Sequence, residues 1–178
     1  VAEGTLYNYF ANKEDNNMYL KYARLTETGW LTQTVTMTSI EGLSMVLDGT
    51  GQPHISYINN LDLTYTHFDG ATWHTQVADT VQSTIEVQGT TIVLDSASKP
   101  LISYYSQPLL EYARWDGAIW QIETVDQAGD AGFYASLALD STGQPQIGYY
   151  DGVKEQIPYA RWNGAAWQLE IVGSDVGH

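Results

Sequence analysis

The chain has 178 residues, of which 43% are hydrophobic and 12% aromatic, and this is enough to build a packed core. Its 7 basic and 21 acidic side chains give a net charge of −14, which argues against nucleic acid as a partner, since phosphate binding relies on Lys and Arg. The absence of cysteine excludes disulfides and thiolate metal sites. No run of about 18 apolar residues occurs, so no membrane span is predicted.

Four imperfect copies of one unit follow each other along the chain. An Asp-x-x-x-x-Pro pattern, a tyrosine and a tryptophan recur in the same phase, and the aromatic residues have spacings of 43, 47 and 47 residues: Tyr22, Tyr65, Tyr112 and Tyr159, with Trp30, Trp73, Trp120 and Trp167. A period of about 40 to 50 residues with four strands is typical of a propeller blade. We therefore predict an all-β, propeller-type single repeat domain over residues 1–178. Its four blade copies are approximately residues 1–41, 42–88, 89–134 and 135–178.

Each full copy is predicted to contain four antiparallel strands. The first strand, such as Thr91–Leu94, is apolar on both faces, which suits an innermost strand that lines a central channel. The second strand, such as Leu101–Tyr105, follows a turn. The third and fourth strands form a hairpin around Asp116-Gly117, a dipeptide typical of a two-residue type I′ turn. In the first copy, Thr5–Phe10 aligns with the second strand, so this blade is expected to lack its innermost strand, giving fifteen strands in total.

The incomplete first blade has consequences for assembly. A missing strand would leave unpaired backbone groups on an inner edge, and such an edge invites pairing with another chain. The chain is therefore expected either to be part of a longer array or to associate with itself. Dimerisation into an eight-bladed ring and a four-bladed ring with one thin blade are both geometric solutions.

The loops that differ most between copies are predicted to lie on one rim of the propeller. They are the connections between second and third strands and those between blades: residues 11–17, 59–62, 106–109 and 151–156, and residues 36–41, 78–88 and 126–134. Loop variation on a fixed scaffold is a common basis for binding. This rim is therefore the predicted binding surface.

The chain's only arginines are Arg24, Arg114 and Arg161, which occupy one repeat position next to the tyrosine. Three arginines could clamp a carboxylate ligand. A position repeated in successive copies instead favours a structural role, with a buried Arg between blades paired to Glu123 or Glu170. Arg114, Arg161, Glu123 and Glu170 are candidate ligand-binding residues, and structural pairing is the alternative.

The aromatic side chains allow two interpretations. The repeated tryptophans are expected to be core wedges between blades. Tyr105 and Tyr150, each the second of a Tyr-Tyr pair, are expected to face the variable loops and to be able to stack on sugar rings. Packing is the alternative role, because strands favour Tyr and Trp in any case.

Acidic loop residues are candidates for binding Ca²⁺, which prefers several oxygen ligands. Asp126, Asp130 and Asp151 fall on the predicted rim, although they do not form an EF-hand pattern, and a solvated acidic face is the alternative. His54 and His67 could meet across a blade but lack metal-ligand spacing. No nucleophile motif occurs in the sequence, so no catalytic residue is assigned.

The copies resemble a bacterial propeller repeat, most clearly at residues 136–151 and 159–167. The resemblance is to the broad group that contains fucose-binding lectin propellers and sialidase-like propellers, and it implies a secreted bacterial protein. Fucose lectins combine an Arg, a Glu and a Trp in each blade, so the resemblance implies ligand roles for Arg114 with Glu123 and for Arg161 with Glu170. The turn at Asp116 is similar to a sialidase Asp-box, but the Asp and Gly are adjacent here, where that motif separates them by one residue. The sialidase nucleophile and acid cannot be placed residue by residue in this sequence.

These observations favour a non-enzymatic, extracellular or cell-surface module that binds a glycan or protein partner through its loop rim. A glycan-processing hydrolase or lyase on a propeller is the second hypothesis. The third is a structural subunit of an extracellular assembly that is closed by strand exchange. The chain starts at Val1 rather than Met, which suggests a processed product.

Overall fold

The computed structural model describes residues 4–11, 18–38, 40–82 and 89–174. These residues form fifteen β-strands in four antiparallel sheets. Within the described part of the chain, no helix is long and apolar enough to cross a membrane.

Each sheet is built from consecutive strands. The first sheet contains β1 (Gly4–Ala11), β2 (Met18–Thr26) and β3 (Gly29–Thr36). The second contains β4 (Glu41–Leu47), β5 (Pro53–Asn59), β6 (Asp62–Phe68) and β7 (Trp73–Thr80). The third contains β8 (Thr90–Leu94), β9 (Pro100–Ser106), β10 (Leu109–Trp115) and β11 (Trp120–Asp126). The fourth contains β12 (Ala131–Leu139), β13 (Pro145–Asp151), β14 (Gln156–Trp162) and β15 (Trp167–Ser174).

The strand order within every sheet follows the chain, as in an up-and-down meander. The predictions of four strands in each full copy and three in the first are confirmed, and β1 holds the position of a second strand. Among the first strands, β8 contacts both β4 and β12, and residues of all three line an opening of about 480 Å³. These strands are therefore innermost, as their apolar sequences indicate.

The hairpin between β10 and β11 closes differently from the prediction. Trp115 and Trp120 pair across the ladder, so the connection is longer than two residues. Gly117 has a φ of 114°, but Asp116 does not adopt the positive φ that a type I′ turn requires. The Asp116 carboxylate instead accepts hydrogen bonds from the amides of Ala118 and Ile119 at 2.8 and 2.9 Å. The predicted two-residue turn is wrong because this side chain caps a longer loop.

The repeated aspartate of the Asp-x-x-x-x-Pro pattern caps the turn between the first and second strands. In the fourth sheet, Asp140 Oδ1 accepts hydrogen bonds from the Thr142 hydroxyl at 2.7 Å and from the amides of Thr142 and Gln144 at 2.8 and 3.0 Å. These bonds hold the pKa of Asp140 below its ordinary value, because they favour the ionised form. Asp48 and Asp95 cap the equivalent turns in the same way.

Apolar cores fill the three interfaces between consecutive sheets. At each interface, the Trp that opens the fourth strand packs edge-on against a Tyr of the preceding sheet, with ring centroids 5.2 to 5.8 Å apart: Tyr22–Trp73, Tyr65–Trp120 and Tyr112–Trp167. The prediction that tryptophans wedge between blades is confirmed at these three positions. Stacking of the sheets therefore buries the aromatic residues that one sheet could not bury alone.

Trp30 differs from its three counterparts. It lies on the side of the first sheet that faces away from the second sheet, and its side chain is 54% exposed. Among the described residues no sheet packs on this side, so Trp30 does not form the predicted wedge between two described blades.

Candidate functional site

Hydrogen bonds place the described variable loops of the second and third sheets on one rim, as predicted, while residues 12–17, 39 and 83–88 of the predicted rim lie outside the described residues. The Val81 amide donates to the Leu61 carbonyl at 2.7 Å, and the Ala131 amide donates to the Pro108 carbonyl at 3.1 Å. Each bond joins a connection between sheets to the loop between second and third strands. The short turns lie on the opposite rim.

A pocket of about 410 Å³ opens between the third and fourth sheets on the rim of short turns. It is therefore on the opposite rim from the loops predicted to bind a ligand. Besides Asp95, Lys99 and Asp116, its lining combines a guanidinium, a further carboxylate, two indoles, a phenol and an amide: Arg114, Glu123, Trp115, Trp162, Tyr112 and Gln144.

Arg114 and Glu123 form the charged part of this pocket. Arg114 Nε lies 3.6 Å from Glu123 Oε1, and the two residues belong to neighbouring strands β10 and β11. The pairing of Arg and Glu is as predicted, but Arg114 is not buried, since 54% of its side chain is exposed. The predicted buried arginine between blades is wrong here, because the side chain extends along the pocket rim, where its guanidinium remains hydrated.

Glu123 is fixed by both neighbouring sheets. Its Oε2 accepts a hydrogen bond from Trp167 Nε1 of the fourth sheet at 3.2 Å, and its side chain is only 29% exposed. The carboxylate therefore has one oxygen near the arginine and the other on the indole. This arrangement holds a negative acceptor at a defined place in the pocket.

Aromatic faces form the rest of the pocket wall. Trp115 and Trp162 are both partly buried and stand against Trp120 and Trp167, with ring centroids 5.5 and 5.6 Å apart. Tyr112 is buried under Trp167, and this burial raises the pKa of its phenol. The sequence analysis did not select Trp115 or Trp162, although each directly follows the repeated arginine and could have been noticed there.

The equivalent positions at the other interfaces have different chemistry. Between the first and second sheets, the register aligns Arg24 and Gln33 with Arg114 and Glu123. Between the second and third sheets, His67 and Gln76 hold these positions, and Gln76 Oε1 accepts from the next tryptophan at 3.2 Å. Only the third interface of the described chain combines Arg, a carboxylate and Trp.

Three histidines stack in the second sheet. His67 lies between His54 and His74, with ring centroids 5.5 and 5.2 Å apart. His54 Nδ1 is 2.5 Å from the Tyr65 hydroxyl oxygen, and His74 Nε2 is 2.7 Å from Asp69 Oδ2. The expected meeting of His54 and His67 is confirmed, while His74 was missed although it directly follows the repeated tryptophan on the paired strand.

The candidate pair Arg161–Glu170 lies on the outer face of the fourth sheet. Arg161 Nη2 is 3.0 Å from Glu170 Oε1, and both side chains are more than half exposed. Tyr150 lies partly buried on the same sheet. These residues have the same types as the pocket pair, but no following sheet of this chain covers them within the described residues.

Tyr105 is not placed to bind a ligand through its ring face. Its side chain is 5% exposed, its hydroxyl donates to Asp130, and its ring packs 5.0 Å from Phe133. The hypothesis of sugar stacking on Tyr105 is therefore not supported, because the ring is buried by packing within the chain.

The three aspartates considered for Ca²⁺ bind protein donors instead. Asp126 accepts from the Tyr149 hydroxyl at 2.7 Å, and Asp151 lies 2.9 Å from Lys154 Nζ. Asp130 accepts from the tyrosine described above. Within residues 4–11, 18–38, 40–82 and 89–174, no group of three or more acidic or histidine residues is arranged to hold a metal ion.

No protein-family model matches the chain, and no curated protein sequence matches it. Several solved structures do. A protein of unknown function from Dyadobacter fermentans superposes with a TM-score of 0.60 at 13% identity, over 91% of this chain and 60% of that one. A variant of AofleA from Arthrobotrys oligospora with three arginines replaced by alanine gives 0.62 at 13% identity, over 97% and 61%. A xylan β-1,4-xylosidase from Bacillus halodurans gives 0.54 at 10% identity, over 96% and 40%.

The chain has a β-propeller fold. Its four consecutive sheets are propeller blades, and they span about 60% of the length of the first two structures above. Identities of 10% to 13% show a shared fold alone, so the chemistry of this propeller must be argued from its own interblade pocket.

Proposed function

We propose that this propeller is a non-enzymatic recognition module that binds a glycan in the pocket between its third and fourth blades. The observation that carries the proposal is the convergence of Arg114, Glu123 and Trp162 on one pocket of about 410 Å³. Ligand pockets are typically concave, largely aromatic or apolar, and equipped with a few oriented polar groups.

Each part of the pocket suits one feature of a sugar ring. A guanidinium donates and a carboxylate accepts, so the pair can hold adjacent hydroxyl groups in a fixed orientation. An indole offers a flat apolar surface to the C–H face of the ring. Glu123 is already oriented by Trp167, so less ordering is needed when a ligand binds.

Binding is favoured over hydrolysis because the remaining acidic groups of the pocket have structural tasks. Asp95 Oδ1 accepts from the amides of Ala97 and Lys99, and Asp116 Oδ1 caps its own loop. The hydrogen bonds from the loop amides lower the pKa of Asp116, whereas a catalytic acid needs a raised pKa. The pocket therefore presents one oriented carboxylate rather than an acid and a base.

The test is a glycan array with fucosylated, sialylated and xylan-derived oligosaccharides, followed by titration calorimetry with the strongest binder. Arg114→Ala and Trp162→Ala should each weaken binding by about tenfold or more, equivalent to about 1.4 kcal/mol. Arg24→Ala is the matched control, because it removes the same repeat position beside Gln33. Equal loss in the control, or release of reducing sugar by the wild-type protein, would contradict the proposal.

A further inference from the structure

The repeated tyrosines of the second and fourth blades bond through their hydroxyl groups to a residue of the same blade. The Tyr65 hydroxyl oxygen lies 2.5 Å from His54 Nδ1. The Tyr159 hydroxyl donates to Gln146 Oε1 at 2.6 Å. Both partners lie on the second strand of their blade, at the position that pairs with the repeated Arg or His. A polar residue at this position therefore satisfies the phenol within the blade.

The third blade has no such partner for its tyrosine. The residue at the same position is Leu101, which pairs with Arg114 across β9 and β10. Because a leucine side chain neither donates nor accepts hydrogen bonds, Tyr112 lacks the contact that Tyr65 and Tyr159 make. In the part of the chain that the structure describes, no hydrogen bond joins the Tyr112 hydroxyl to another residue.

This hydroxyl belongs to the pocket between the third and fourth blades. The ring of Tyr112 packs on Trp167, and the residue is only 3% exposed, yet it lines the pocket together with Arg114 and Glu123. The buried polar atoms that lack a partner among the described residues belong to other side chains, so the hydroxyl is in contact with solvent at the pocket. Burial raises the pKa of this phenol, which keeps its proton available for donation at neutral pH.

We propose that Tyr112 is a further ligand-binding residue of this pocket, and that its hydroxyl donates a hydrogen bond to an oxygen of the bound sugar. The inference rests on the glycan binding proposed above. A ligand oxygen at this place gains a hydrogen bond for which no protein group competes. Arg114 only donates and Glu123 only accepts, so Tyr112 adds a third directed polar contact and selects against sugars that lack the oxygen it binds.

The charges around this hydroxyl narrow the class of sugar. Three carboxylates line the pocket, those of Asp95, Asp116 and Glu123. The cationic side chains in the lining are Lys99 and Arg114. Negative charge is therefore in excess in the pocket, as it is in the whole chain with its net charge of −14. An acidic sugar would be repelled, so the ligand is a neutral one.

The first test removes only the hydroxyl. Tyr112→Phe keeps the ring on Trp167, and it should weaken binding of fucosylated or xylan-derived oligosaccharides by about fivefold or more in titration calorimetry. Tyr65→Phe and Tyr159→Phe are the matched controls. Each removes a hydroxyl that is bonded within its own blade, so each should lower the urea midpoint and leave the affinity for the sugar unchanged.

The second test gives Tyr112 the partner that it lacks. Leu101→Gln introduces the residue type of the fourth blade at the equivalent position, where it should accept from the Tyr112 hydroxyl and weaken sugar binding to a similar extent. Gln146→Leu is its control, because it changes the same repeat position away from the pocket and should leave the affinity unchanged. Circular dichroism of each variant confirms that the sheets remain folded.

The outcomes separate this inference from the proposed glycan binding. A wild-type chain that binds no oligosaccharide overturns both. If Arg114→Ala weakens binding while Tyr112→Phe binds like wild type, glycan binding stands and the role of Tyr112 is overturned. If sialylated oligosaccharides bind more tightly than the fucosylated and xylan-derived ones, the neutral ligand class is overturned while glycan binding stands.

Discussion

Two faces of this molecule carry nearly the same side chains and have different environments. Tyr112 and Val125 of the third blade are buried by the fourth blade, while Tyr159 and Val172 occupy the same repeat positions on the outer face of the fourth blade, where Tyr159 is partly buried and Val172 is 64% exposed. The comparison teaches that the repeat specifies one half of an interface. Burial is decided by whether a neighbouring blade supplies the other half, as in other proteins built from stacked repeats.

The largest expected difference in unfolding free energy is between variants of Tyr112 and Tyr159. Tyr112→Ala removes a buried aromatic ring that packs on Trp167, and by analogy with other large aromatic truncations it should cost about 3–5 kcal/mol of unfolding free energy. Tyr159→Ala, measured by urea denaturation at dilute protein concentration, should cost less than about 1 kcal/mol. Equal losses at the two positions would show that the outer face of the fourth blade is covered within one chain.

A smaller loss of stability is expected when Asp126, which forms a buried hydrogen bond across the third interface, is replaced. Asp126 is buried and accepts from the Tyr149 hydroxyl of the fourth blade at 2.7 Å. Asp126→Ala should cost about 2–3 kcal/mol, because it leaves a buried hydroxyl without its charged acceptor. Glu27→Ala, at an exposed position, is the control and should change stability by less than about 0.5 kcal/mol. An Asp126→Ala chain as stable as the control would show that water replaces the carboxylate.

The fold was predictable because it is repetitive. Tyr112, Trp120 and their copies recur at nearly constant spacing, because every unit packs its aromatic residues in the same way. This spacing was enough to predict the four sheets and the missing strand. The turn at Asp116 was not predictable from the Asp-Gly dipeptide. Both a two-residue type I′ turn and a longer loop capped by the Asp116 carboxylate give the glycine a positive φ, so the dipeptide does not distinguish them.

The candidate site was harder to predict because it combines residues of two blades. Arg114 and Glu123 lie in one hairpin and could be paired from the repeat, whereas Trp162 joins them only after the blades have stacked. The exposure of Arg114 and the burial of Tyr105 also depend on that stacking. Sequence patterns report which face of a strand a residue occupies, but they do not report what packs on that face.

The smallest expected effect is a pH dependence of stability that the second interface has and the third lacks. The two interfaces have His67 and Arg114, respectively, at the same repeat position. Burial lowers the pKa of His67 and of His54 from the ordinary value of 6.5, and repulsion from neighbouring histidines lowers it further. Asp48 partly offsets this at both rings, and Asp69 does so at His67.

Because both pKa values are lower in the folded state, the unfolded chain takes up protons first as the pH falls. The two histidines therefore leave stability unchanged above about pH 7 and reduce it as the pH drops below about 6.5, before most carboxylates titrate near pH 4. Urea midpoints measured from about pH 7.5 to about pH 5 should decline for the wild type and decline less for a His54→Gln, His67→Gln double variant. An identical decline in both chains would place the pH sensitivity elsewhere. The third interface has Arg114 in place of His67, so it lacks a histidine at that position.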